Sequence, residues 1–410
     1  MEKHFKKIKL SKKYNKRTKK KSYFFSINIL LFRRLNKTFT FLLILIVFLI
    51  FGKIEDKVEM NKTNYIHLAV NIDNKYIYPL IVYLTSLLDN QAYSTFYIIH
   101  ILTGKNIKND TFYKINATIE KFGKNASNVT YYNMGDQFNR ATHGGFISTA
   151  AYYRISLPSL LPDVDKIIYT DTDVINFKDL SEMYNIEFKD KMYFCGGLDH
   201  IGLINEIKHF GIEPDKYMNS GIMLINLKAM RNDSIEDNLR TFISSHFLNH
   251  HEQTAINVVC YKNIQILPYK YGSFAYGSFE KFVIFNNEQN EKYRFNITDL
   301  YKAFNSPTLL HYAGYTKPWD KDCENKRRVY WWYYAKKSIV YQEILEHYGF
   351  NDTYIEELIK TIPEKESLLH QTIRKNKNKL YGILKMIIGL FFLNILFHVF
   401  YFINVNIRVY

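Results

Sequence analysis

The chain has 410 residues, 47% of them hydrophobic and 23% charged, which suits a folded protein with a sizeable core and excludes a disordered or collagen-like chain. A net charge of +16 invites a nucleic-acid partner, but the excess sits in an arm from Lys3 to Lys21 and in a second cluster, Arg374, Lys375, Lys377 and Lys379. Both clusters directly precede apolar runs, where basic residues meet anionic lipid or set membrane orientation, so the expected partner is membrane lipid and not nucleic acid.

In chain order, residues 1–22 form a basic arm expected to be disordered, and residues 23–52 a membrane-anchor region ending in the uncharged stretch Phe39–Phe51. That stretch is short against the roughly 20 helical residues a bilayer needs. It fits a cleaved signal peptide or an uncleaved anchor, and the absence of a small-residue cleavage site favours the anchor. Tyr65–Val70 is a short apolar run suited to a buried strand, and Tyr76–Leu88 has helical spacing. Phe96–Leu102, Thr111–Phe122 and Val129–Tyr132 read as strand, helix and strand. This alternation predicts a layered α/β domain with a largely parallel sheet over residues 64–335. Ligands bind such sheets at the carboxyl ends of the strands. A helical and basic linker, 336–379, then leads to a hydrophobic run, 380–403, expected to span the membrane or lie on it. The three cysteines, Cys195, Cys260 and Cys323, match no metal or disulfide pattern.

The central motif is Lys166-Ile-Ile-Tyr-Thr-Asp171-Thr-Asp173-Val-Ile175. Aspartate is a poor strand former, so two of them framed by isoleucine and valine require an explanation. One is a polar turn after a strand. The other is a metal site, because a period of two points both carboxylates the same way at a strand end, where they can share one divalent ion. Five further segments surround it: Asn71-Ile-Asp73-Asn-Lys-Tyr76 after the first strand, Ala150-Ala-Tyr-Tyr-Arg154 before the acidic strand, Asn219-Ser-Gly221 ahead of Ile222–Leu227, Glu252-Gln253-Thr-Ala-Ile-Asn257, and His311-Tyr-Ala-Gly314-Tyr-Thr-Lys317-Pro-Trp319.

Taken in order over residues 65–319, these segments resemble family 8 of the glycosyltransferases, the retaining galactosyl- and glucosyltransferases that include lipopolysaccharide transferases and glycogenin. The resemblance implies a GT-A fold with a Rossmann-like nucleotide-binding sheet, a UDP-sugar donor and manganese, with magnesium left open by ligand softness. It implies that Asp171, Asp173 and His311 hold the metal. Asn71, Asp73 and Tyr76 would face the uracil and ribose, while Lys317 and Gly314 would meet the diphosphate. Arg154 would lie between donor and acidic strand, with Gln253 and Asn219 near the anomeric carbon. An amide oxygen is a poor nucleophile, so front-side attack with Gln253 as a stabiliser is expected. The family's usual Asp-Gln-Asp is Glu252-Gln253-Thr254 here, a departure that falls on the acceptor side.

The expected activity is transfer of a hexose, galactose or glucose, from a UDP-sugar to a glycan, glycolipid or glycoprotein acceptor. Two alternatives share the fold: a glycogenin-like self-glucosylating enzyme, and an inactive membrane-bound sugar-binding scaffold. Sequons at Asn109, Asn116, Asn125, Asn128, Asn296 and Asn351 suit a Golgi or ER-lumenal domain behind a single-pass anchor. In a bacterium the domain would instead lie on the cytoplasmic face of the inner membrane.

Overall fold

The computed structural model describes residues 64–123, 127–138, 141, 148–199, 201–212, 217–275, 279 and 296–362. The chain divides into two compact units, Met1–Asn64 and Tyr65–Tyr410, and the described residues beyond Asn64 belong to the second.

The first half alternates as expected: β1 (Asn64–Ile72), α1 (Ile77–Asp89), β2 (Thr95–Thr103), α2 (Asn109–Gly123) and β3 (Ser127–Asn133). A 3-10 segment, Thr149–Ser156, precedes β4 (Lys166–Thr170), β5 (Val174–Asn176), β6 (Phe194–Leu198), α3 (Ile201–Lys208) and β7 (Met218–Asn226). Then come α4 (Leu227–Asn232), α5 (Ile235–Ser245), α6 (His251–Val259), β8 (Ile264–Ile266), β9 (Ser273–Phe274), α7 (Ile297–Asn305) and β10 (Leu309–His311). The described residues end with α8 (Arg328–Lys337), α9 (Tyr341–Tyr348) and α10 (Asp352–Lys360).

Seven strands form a central sheet in the order β3-β2-β1-β4-β7-β6-β8. The pairs β2/β3, β1/β4 and β6/β8 are parallel, but β7 runs antiparallel to both β4 and β6. A second sheet, β5-β10-β9, has β10 antiparallel to β5 and parallel to β9. The chain therefore leaves the large sheet after Thr170 and enters the small one at Val174, with Asp171 and Asp173 at the crossing.

Helix α1 is buried from Pro79 to Leu88 on all sides, because the sheet covers one face and the aromatic layer of α8 the other. Asn90, just past α1, donates to the Asn176 carbonyl at 2.9 Å and the Tyr334 hydroxyl at 2.8 Å, and so ties helix, small sheet and α8 together. Trp319, Trp331 and Trp332 fill that layer, and α9 and α10 pack on it. All three cysteines are buried.

One expectation is corrected. A membrane-bound protein with a single-pass anchor is not what the structure supports, since among the described residues no helix is long and apolar enough to cross a membrane. The arm 1–22, the region 23–52 and the run 380–403 lie outside the described residues.

On the strands β1, β2 and β3, His67 Nδ1 lies 3.0 Å from His100 Nε2, and His100 Nδ1 lies 3.0 Å from the Tyr132 hydroxyl. An N···N hydrogen bond needs one unprotonated partner. Burial, and then the neighbouring His67, depress His100 from the ordinary 6.5 to about 4. The unfolded chain thus takes up this proton at higher pH than the folded one. Stability should be complete above 6.5 and fall as the pH drops from there through about 4. A urea-melt midpoint that declines between pH 7 and pH 5 in wild type, and declines less in His100→Gln, is the expected result.

Candidate active site

The crossing between the sheets fixes the acidic pair by backbone bonds. The Asp171 N–H donates to the Gly221 carbonyl of β7 at 2.7 Å, and the Asp173 carbonyl accepts from Tyr312 N–H at 2.9 Å. His311, the last residue of β10, stands opposite Val174 in the β5/β10 register. Strand pairing alone therefore places an imidazole beside both carboxylates. One ligand atom from each of Asp171, Asp173 and His311 falls within 4.8 Å of the others.

Asp173 is buried, and its two oxygens are treated differently. Oδ2 accepts from Lys317 Nζ at 2.5 Å. His311 Nε2 lies 3.3 Å from Oδ1, which has no hydrogen-bond partner. Burial by itself would raise this carboxyl, yet Lys317 and His311 outweigh it and hold Asp173 well below the usual carboxylate range. Lys317 is correspondingly raised: burial opposes its charge and Asp173 more than restores it. A buried carboxylate oxygen without a donor, facing an imidazole and a second carboxylate, fits a divalent cation.

Asp171 is held from the other side. Arg154 Nη2 donates to its Oδ1 at 2.7 Å, and the Tyr169 hydroxyl donates to the same oxygen at 3.0 Å. The buried guanidinium stacks on the Tyr169 ring at 4.1 Å, donates to the Ser220 carbonyl, and lies 3.3 Å from Glu252 Oε1. Ser148, whose hydroxyl accepts from Ala150 N–H, starts the 3-10 segment that carries this arginine. Burial raises the Glu252 carboxyl, with Arg154 opposing.

Glu252 leads to a second polar group. Gln253 Oε1 accepts from Ser220 N–H at 3.0 Å and from Asn219 Nδ2 at 3.2 Å, and Gln253 Nε2 donates to Asp199 Oδ2 at 2.9 Å. Asn219 Nδ2 also donates to Asp199 Oδ2, at 2.8 Å. Asn219, Ser220 and Gly221 lie inside β7, whose first residue, Met218, is held by Asn257 on α6 through its N–H and its carbonyl, each at 2.8 Å.

The nucleotide-side residues are arranged differently. Asp73 turns its carboxylate back on the N–H groups of Lys75 (2.8 Å) and Tyr76 (3.2 Å), forming a turn into α1. Asn71 donates to the Ala150 carbonyl at 2.6 Å, and its Oδ1 is buried without a partner. The Tyr76 ring meets Trp319 edge-on at 6.0 Å. Burial, partly opposed by Lys317, lifts the Tyr76 phenol to about 12. Gly314 adopts φ +100°, a left-handed conformation that shapes the loop between His311 and Lys317.

A family model for glycosyl transferase family 8 matches residues 67–323. The chain belongs to family 8 of the glycosyltransferases. Among similar family 8 relatives, General stress protein A of Bacillus subtilis is 25% identical over 67% of this chain and 94% of its own length. A lipopolysaccharide 1,2-glucosyltransferase of Escherichia coli is 27% identical over 41% of this chain, spanning about half (49%) of that enzyme. The fold matches the galactosyltransferase LgtC, solved with donor and acceptor sugar analogues, at a TM-score of 0.54 with 18% identity, over 69% of this chain and all (100%) of that one.

Three participants went unassigned in the sequence of this glycosyltransferase. Asp199 closes an apolar strand just as Asp171 does, so the same strand-end rule could have found it. Tyr169 was read only as part of an apolar run. Packing requires the glycine at 221: a Cβ there would lie 2.3 Å from His311 Cε1 and 2.7 Å from Asp171 Oδ2. Gly221→Ala should therefore cost about 1–3 kcal/mol. Arg154→Met, which strips a buried carboxylate of its partner, should cost about 3–5 kcal/mol, and adding Glu252→Gln should recover part of it. Urea melts of the three variants check these values. An Arg154→Met protein as stable as wild type would contradict the ion-pair account.

Proposed function

We propose that this family 8 glycosyltransferase transfers a hexose, galactose or glucose, from a UDP-sugar to a hydroxyl of a glycan or glycoconjugate, with retention of configuration. The observation that carries the reading is the partnerless Asp173 Oδ1, facing His311 and Asp171 while Lys317 occupies the other oxygen. Asp171, Asp173 and His311 would hold a divalent cation, manganese or magnesium, whose charge would offset that of the donor diphosphate.

In this reading Lys317 serves the diphosphate as a point charge within reach of Asp173, and the left-handed turn at Gly314 brings backbone close to it. Asn71 and Tyr76, at the end of β1 and the start of α1, line the place of the uridine. Asp73 contributes by fixing the turn between them. Arg154 orients Asp171 and Glu252 through its planar fork. Gln253 and Asn219 present a hydrogen-bonded amide pair to the sugar. Because the Gln253 oxygen already accepts from Ser220 N–H, it is held in place and poorly suited to attack the anomeric carbon. Front-side displacement follows: the acceptor oxygen bonds to the anomeric carbon as its bond to the diphosphate breaks, the electron pair leaving with the diphosphate. The glucosyltransferase relative and the LgtC complex with sugar analogues support the same substrate class.

The test is UDP release by the full chain from UDP-glucose and UDP-galactose, with and without manganese. Metal-stimulated turnover of at least one donor is expected, lowered about 100-fold or more in Asp173→Asn. Folded protein that turns over neither donor under any metal condition would overturn the reading.

A further inference from the structure

The ends of neighbouring strands lie in a row beside the proposed cation site. Asp171 follows β4, Asp73 follows β1 next to it, and Gly104 follows β2 beyond that. Asn74 Nδ2 donates to the Asn106 carbonyl at 2.8 Å and ties the loops after β1 and β2 together. Two strand spacings span roughly 10 Å, enough to lay a nucleotide from its diphosphate at β4 through the ribose to a base at β1 and β2. One side chain that the chemistry above leaves unused arrives at the base end of this row. Tyr153 sits on the 3-10 segment Thr149–Ser156, which Asn71 fastens to the end of β1 through the Ala150 carbonyl at 2.6 Å.

The Tyr153 ring is buried, at 5% exposure, in the core that holds Leu102 and Met134. Its hydroxyl reaches Gly104: a Cβ built on that glycine would lie 3.3 Å from the phenol oxygen. The hydroxyl makes no hydrogen bond among the described residues. Phenylalanine would fill the same core space without carrying a polar group into it, so packing explains the ring and leaves the hydroxyl unexplained. Burial raises the phenol above its ordinary value and the Asp73 carboxylate adds to the rise, so the hydroxyl lies within the field of that charge and keeps its proton at neutral pH. It is a hydrogen-bond donor beside Gly104, at the strand ends where open sheets of this kind take their ligands.

We propose that the Tyr153 hydroxyl is a base-binding group of the donor site and donates a hydrogen bond to a carbonyl oxygen of the pyrimidine ring. This inference rests on the UDP-sugar reading above. Gly104 makes the arrangement possible, since a methyl group there would crowd the hydroxyl. The base takes no part in bond breaking, so this contact is the same in ground state and transition state, and its loss weakens donor binding without slowing the chemical step. Tyr153→Phe, which keeps the ring, should raise the dissociation constant for UDP and the KM for the donor about tenfold and leave kcat unchanged. Gly104→Ala should act in the same direction by a smaller factor.

The experiment titrates UDP and inorganic pyrophosphate into the full chain with manganese, by calorimetry, for wild type, Tyr153→Phe and Gly104→Ala, and follows UDP release from UDP-glucose and UDP-galactose. Weaker UDP binding in both variants, with pyrophosphate binding unchanged, is the expected result, because pyrophosphate carries the phosphates and no base. UDP binding by Tyr153→Phe equal to that of wild type would overturn the proposal. Equal weakening toward UDP and pyrophosphate would also overturn it, since that marks a general disturbance of the site, and so would a lower kcat at unchanged KM. If Tyr153→Phe does not fold, Gly104→Ala carries the same comparison, and UDP binding as in wild type then overturns the proposal. Folded wild type that neither binds UDP nor releases it from either donor would sink the transferase reading and this inference with it, whereas UDP binding that the variants leave unmoved sinks this inference alone.

Discussion

Burying carboxylates at the end of an apolar strand is costly unless cations and donors surround them, and the architecture around Asp171 and Asp173 follows from that constraint. Arg154 and Tyr169 serve the first, Lys317 and His311 the second. These partners come from three stretches of chain, the 3-10 segment of Arg154, β4 itself and the segment from His311 to Lys317, so no local segment could have assembled the site. The remaining imbalance, one Asp173 oxygen without a donor, is the kind a native fold leaves where a ligand completes the set.

Two backbone features deliver those partners. The crossing from the large sheet to the small one puts the acidic pair in the gap, and β10 then brings His311 in by strand register. The reversed strand β7 lays Asn219, Ser220 and Gly221 against Asp171, and Gly221 is small because the imidazole and a carboxylate take up its Cβ space. Ser220 is the link between the halves of the site, its carbonyl on Arg154, its hydroxyl on Glu252 and its N–H on Gln253. Glu252, which stands where the family usually has aspartate, is a buried side chain paired with Arg154.

Much of this was legible from residue patterns. The β1–β3 alternation came from apolar runs and helical spacing, and the acidic pair stood out because aspartate between isoleucine and valine has a cost. The structure brings together Asp171, Asp173, His311, Lys317 and Arg154, and separately Gln253 with Asn219. Three things were not legible. The antiparallel course of β7 lies in its pairing with β4 and β6, contacts between distant segments. The turn that Asp73 Oδ1 closes on the N–H groups of Lys75 and Tyr76 is a local bond of the kind short polar residues form readily, beside the nucleotide-facing role the resemblance implies. The contact between Glu206 and His250 joins α3 to the turn before α6 with no shared motif. The membrane expectation rested on hydropathy in terminal segments, and no described helix supports it.

Asp171, Asp173 and His311 are proposed to form one cation site that works together with a nucleotide diphosphate. Titrating manganese into the full chain, with and without UDP, and following free manganese by electron paramagnetic resonance tests it most directly. The account predicts a single site that tightens with UDP and is lost in Asp173→Asn and His311→Ala, with folding preserved. Manganese binding in either variant equal to that of wild type, or no UDP-dependent site at all, would contradict it.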